Sequence, residues 1–61
     1  MKITITLSTD NAAFSDHAGM EVARILHKAG DQLYDWPGAN EFTLSLRDVN
    51  GNKVGTLEAS K

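Results

Sequence analysis

No cysteine occurs in these 61 residues, so no disulfide can staple the chain and no thiolate metal site can form. That absence fits a reducing compartment, and a cytoplasmic location is the expectation. Long apolar runs are missing too. The N-terminal stretch Met1-Lys2-Ile3-Thr4-Ile5-Thr6-Leu7 alternates polar with apolar residues, whereas a signal peptide needs a continuous apolar segment and a membrane span needs about twenty apolar residues. No membrane role is expected. Nor does charge of one sign dominate: eight acids face six bases, a net charge of −2, scattered along the chain. This lacks the basic stripe of a phosphate-backbone binder, and it is too mild for a mimic of DNA. Aromatics are few, with two Phe, one Tyr and one Trp, so no sheet face can offer the stacking platform of an RNA binder.

What is present suits one small domain spanning 1–61. A chain this short buries roughly 60% of its unfolded surface, so its core is thin. Lys2 to Thr9 reads as a strand with Ile3, Ile5 and Leu7 on one face and threonines on the other. The Asp10–Asp16 segment, rich in Asp, Asn and Ser, breaks the alternation. From about Ala18 the period changes: Val22, Ile25, Leu26, Ala29 and Leu33 form one helical stripe, extended backwards by Ala18 and Phe14. Glu21, Arg24, His27, Lys28 and Asp31 fall on the wetter side, and the helix should end near Leu33. Tyr34–Asn40 is a loop punctuated by Pro37-Gly38. Glu41 to Arg47 alternates as a second strand, Asn50-Gly51 signals a hairpin, and Lys53 to Ala59 returns as a third strand.

A two-residue Asn50-Gly51 turn pairs Val49 with Asn52, and hence Leu46 with Gly55, Leu44 with Leu57 and Phe42 with Ala59. All the apolar strand residues except Val54 then share one face, and Gly55 relieves crowding opposite Leu46. A three-residue Val49-Asn50-Gly51 loop would invert the third strand unless a further irregularity intervened. Leu57 favours the first register. The expected architecture is an α+β, β-α-β-β two-layer sandwich, one helix on a three-stranded, preferably all-antiparallel sheet. Strand three then lies between one and two; a parallel pairing of strands one and two is the alternative.

Catalytic chemistry needs converging groups in a sheltered cleft, and none is legible. His17 and His27 are too far apart along the helix to converge on a metal. Asp48-Val49-Asn50-Gly51-Asn52 places glycine at the fourth position instead of the sixth that a calcium loop requires, and the glycines match no phosphate-cradling spacing. No enzyme activity, catalytic residue, metal or cofactor is therefore expected. The residues most suited to partner contact are Tyr34, Trp36 and Arg47, because Trp, Tyr and Arg dominate interface hot spots. A lone tryptophan in so small a protein more often plugs the open end of the core, and for Trp36 the two roles overlap, because a rim aromatic can serve both.

The runs Asp10-Asn11-Ala12-Ala13-Phe14, Glu21-Val22-Ala23-Arg24-Ile25-Leu26 and Leu46-Arg47-Asp48-Val49-Asn50-Gly51-Asn52-Lys53-Val54-Gly55 are similar to a group of very small proteins encoded by bacteriophages and prophages. The likeness covers nearly the whole chain, least in Tyr34–Asn40. It implies a phage origin and action in the host bacterial cytoplasm. The group has no established activity, so no functional residues carry over. The leading expectation is a phage-type accessory module that binds a host protein. The alternative is a homodimeric structural or regulatory protein, including a nucleic-acid-associated one, although charge and aromatic content argue against nucleic acid.

Overall fold

The computed structural model describes residues 1–60. Its elements follow the order β1 (Lys2–Leu7), a 3-10 turn (Ala12–Phe14), α1 (Ala18–Leu33), β2 (Phe42–Arg47) and β3 (Lys53–Ser60). The sheet order is β1-β3-β2, with both pairings antiparallel. This is the α+β sandwich expected from the alternation, with the strand order preferred above. The sequence drives it directly. Three strands present leucine, isoleucine and alanine on one face, and the helical stripe has nowhere else to bury its apolar side.

The core is small: Phe14, Ile25, Ala29, Leu46, Val54 and Leu57, with Leu7, Ala13, Val22, Leu33, Phe42 and Leu44 packed around it. Phe14 is delivered by the 3-10 turn, which Asn11 caps by accepting the Ala13 N–H at 2.9 Å. The turn-forming residues of Asp10–Asp16 predict only a break in the alternation, and the 3-10 turn is an addition to it. At the far end of α1, the Tyr34 N–H reaches Gly30 and the Trp36 N–H reaches Leu33, and Pro37 stops any continuation.

The hairpin corrects the sequence reading in two linked respects. Its loop is the three-residue Val49-Asn50-Gly51, closed by the Asp48 N–H on the Asn52 carbonyl at 2.9 Å and the Gly51 N–H on the Asp48 carbonyl at 3.0 Å. Gly51 takes φ +86°, the left-handed conformation such a loop requires and that glycine adopts without steric cost. Alone, that loop would turn Leu57 outwards. A bulge between Leu46 and Arg47 restores the phase: Arg47 pairs with Lys53, yet Leu46 pairs with Gly55, Leu44 with Leu57 and Phe42 with Ala59. The extra residue is Val54, expected on the outer face but buried in the core. Packing decides, because the bulge buries Val54 and Leu57 together. Gly55 also has a different reason to be glycine. A Cβ there would collide with the Thr6 carbonyl and the backbone of Leu7; the crowding comes from β1, not from Leu46.

Candidate functional site

Two features bring polar side chains together, and they lie at neighbouring parts of the β2 flank. The first is a clamp around the hairpin. Asp48, 4% exposed, accepts N–H groups from Asn50 and Asn52 on one carboxylate oxygen, both at 2.9 Å. Its other oxygen accepts the Asn11 side-chain amide at 2.8 Å and that of Asn52 at 3.3 Å. Asn11 therefore ties the β1–α1 connection to the hairpin with one end of its amide while capping the 3-10 turn with the other. Burial works to raise the Asp48 pKa, but these N–H donors, led by the Asn52 backbone, outweigh it and hold the carboxyl below its ordinary range. The carboxylate is filled by N–H donors, which suits a turn lock and leaves little capacity for a cation.

Helix α1 grips the same hairpin from above. Arg24 meets Glu21 through two parallel N–H bonds, Nε at 2.8 Å and Nη2 at 3.0 Å. Glu21 Oε2 also accepts the Val49 N–H at 2.8 Å, and the Arg24 Nη2 donates to the Arg47 carbonyl at 3.3 Å. The Arg24 hydrogen bond, reinforced by the Val49 N–H, lowers the Glu21 pKa, and the same contact raises that of Arg24. Helical periodicity alone puts Glu21 and Arg24 on the wetter face and gives no sign of the clamp. The available signal was an Asp two residues before Asn-Gly, a turn-former at a strand end, together with Glu and Arg three apart on one helix face.

The second feature is a groove of about 160 Å³ between α1 and β2, lined by Ile25, Lys28, Ala29, Gln32, Ser45, Leu46 and Arg47. Its floor is aliphatic and its rim carries two cations and two neutral hydrogen-bonding groups. Arg47 Nη1 donates to the Gly51 carbonyl at 3.0 Å, which fixes the stem of the guanidinium against the hairpin.

The three residues singled out for partner contact do not form one surface. Arg47 lies at the groove. Trp36 lies at the opposite end of β2, about 17 Å away at roughly 3.3 Å per strand residue. It stacks on Phe42 with ring centroids 5.8 Å apart and planes at 28°, and its indole N–H donates to the Asn40 carbonyl at 2.9 Å. That arrangement covers Phe42 at this end of the sheet and pins the 34–41 loop. Tyr34, beside it in sequence, is 89% exposed. His17 and His27 are both exposed, and among the described residues no group of three His, Asp or Glu side chains could hold a metal ion. No helix among the described residues is long and apolar enough to cross a membrane.

Fold and site together define a small two-layer α+β domain with a split β-α-β unit and a cationic groove on one flank. Comparison with protein-family models, curated proteins and solved structures finds no match to this chain.

Proposed function

We propose that this chain is a protein-interaction module, of the accessory kind that phages direct at a host protein, and that it holds its partner at the α1–β2 groove. The observation that carries the reading is the groove's chemistry: Lys28 and Arg47 flank an aliphatic floor of Ile25, Ala29 and Leu46. An acidic protein segment with one apolar anchor matches it, the carboxylates meeting the two cations and the anchor covering the floor. β2 is also an edge strand, so an extended segment could add backbone pairing beside the groove. The phage assignment rests on the resemblance of the Asp10–Phe14, Glu21–Leu26 and Leu46–Gly55 runs. A binding role is favoured over a catalytic one because the three groups with displaced pKa values are all committed to the hairpin clamp.

The test is a pull-down from bacterial lysate with tagged wild type beside folded Lys28→Glu/Arg47→Glu and Tyr34→Ala/Trp36→Ala variants. One host protein should be retained by the wild type, lost by the charge reversal, and released as salt rises. Equal retention by the charge-reversed variant would place the interface elsewhere.

A further inference from the structure

The opposite flank of the domain is built differently, and it carries an inference independent of the groove. Helix α1 makes its closest approach to the sheet at β2, with Ile25 and Ala29 sharing the core with Val54 and Leu57 of β3. Its charged residues line that side: Glu21 and Arg24 grip the hairpin and Lys28 rims the groove. At 100° per residue, Val22, Leu26 and Ala23 fall on the other flank, which carries no charge. Leu26 is 39% exposed there.

Below that flank lies β1. Ile3 pairs with Ala59 and Ile5 with Leu57, so both isoleucines point to the core face of the sheet. Their partners are 2% exposed, while Ile3 and Ile5 remain 45% and 46% exposed. The helix that should cover them sits too far towards β2. The chain as a whole exposes 4325 Å², about a tenth above the roughly 3,900 Å² expected of a closed monomer of this mass.

β1 is also an open edge. The Ser8 N–H donates to the Val54 carbonyl. By the alternation of an antiparallel ladder, the even-numbered backbone groups of β1 face β3 and those of Ile3, Ile5 and Leu7 face outwards. Edge protection in Lys2–Leu7 is confined to the charge of Lys2 at its start: there is no proline, no bulge and no inward-pointing charge. We propose that this edge and its half-covered apolar face are the interface for a second copy of the chain, paired antiparallel about a two-fold axis at Ile5.

That register follows from which groups are free. Outward-facing groups must pair with outward-facing groups, so odd residues meet odd residues. With the axis at Ile5, Ile5 lies opposite itself and Ile3 opposite Leu7 of the partner subunit. Lys2 then meets Ser8 of the partner subunit, so no like charges are opposed. Thr4 meets Thr6 of the partner subunit on the outer face, a favourable cross-strand pair. The product is a continuous six-stranded sheet in which the isoleucines of both copies form one apolar strip, bordered on each side by Leu26. Such an isologous contact closes on itself and does not propagate, and the two cationic grooves remain free at the outer edges.

Sedimentation velocity over a dilution series tests this. Wild type should sediment as a dimer that dissociates on dilution. Ile5→Lys places two cations opposite each other at the axis and should weaken self-association by about tenfold or more. Its circular dichroism should be retained, because the half-exposed side chain can reach solvent. Ile5→Glu should behave the same way alone. Mixing the two variants should restore the dimer, since the axis then carries opposite charges. A wild type that is monomeric throughout would overturn the proposal, as would Ile5→Lys dimerising as wild type does. A mixture no more associated than either variant alone would overturn the two-fold register at Ile5.

Discussion

The same substitution, glycine to alanine, should have opposite effects at positions 55 and 30, and the structure gives the sizes. At Gly30, on α1, a Cβ would meet nothing within 4 Å. Alanine there removes the conformational penalty of a helical glycine, a gain of about 0.8–1 kcal/mol. At Gly55 a Cβ would run into the Thr6 carbonyl and the Leu7 backbone. Those atoms belong to the neighbouring strand and cannot rotate aside as a side chain would. Relief requires β1 to move away from β3, which stretches their ladder and opens the core beside Leu57. Overpacking costs about 1–3 kcal/mol where side chains can yield, so a backbone clash belongs at or above 3 kcal/mol. For a domain of this size each kcal/mol moves the melting temperature by roughly 4–8 °C. Gly30→Ala should therefore melt about 4–8 °C above wild type and Gly55→Ala at least about 12 °C below it, followed by circular dichroism and checked by urea titration. A Gly55→Ala protein within about 0.5 kcal/mol of wild type would show that β1 does not approach β3 as described, and the β1-β3-β2 order would fall with it.

Val54→Thr keeps the shape of a core side chain but buries a hydroxyl; it should cost about 1–3 kcal/mol in urea unfolding, where an outward-facing Val54 would tolerate the change. Trp36→Ala removes the stack on Phe42 and the indole bond to Asn40, and should cost about 2 kcal/mol while leaving the hairpin amides protected in hydrogen exchange. Asp48 and Glu21 both have pKa values lowered in the folded state. Their contribution is therefore fully present above the ordinary carboxyl range near 4 and is lost as pH falls from there through their lower folded values. Stability should hold from neutral pH to about 5 and then decline, and an Asp48→Asn/Glu21→Gln protein should show a shallower acid limb in a pH series of thermal melts.

The helix and the pairing of Leu44 with Leu57 were legible in the sequence because each depends on a repeated pattern. Many apolar positions vote for the same period, so one ambiguous residue changes little. Val54 was not legible. In strict alternation it belongs outside, and only the three-dimensional fit between loop closure and core filling shows that the strand gains a residue there. The Asp48 and Glu21 clamps depend on contacts across 37 and 28 residues, beyond any local pattern. Gly55 was recognised as a site of crowding, but the intruding backbone came from β1, whose position beside β3 was itself a preference between two strand orders. Arg47 was legible as a contact candidate by residue type alone; its companion Lys28 joins it only because α1 packs towards β2. Trp36 had two readings in the sequence, and its stack on Phe42 supports the structural one.

The bulge at Val54 also bears on how this hairpin can change length. A chain lacking that single residue would run directly from the Arg47–Lys53 pair to the Leu46–Gly55 pair, with Leu57 and Ala59 still inward. It would lose one buried side chain and keep its phase. The opposite repair, straightening the strand with Val54 retained, would turn every residue beyond it to the wrong face. Position 54 thus works as an expansion joint: when related chains are aligned, a one-residue gap in this hairpin belongs there or in the turn, and its presence says nothing against a shared fold.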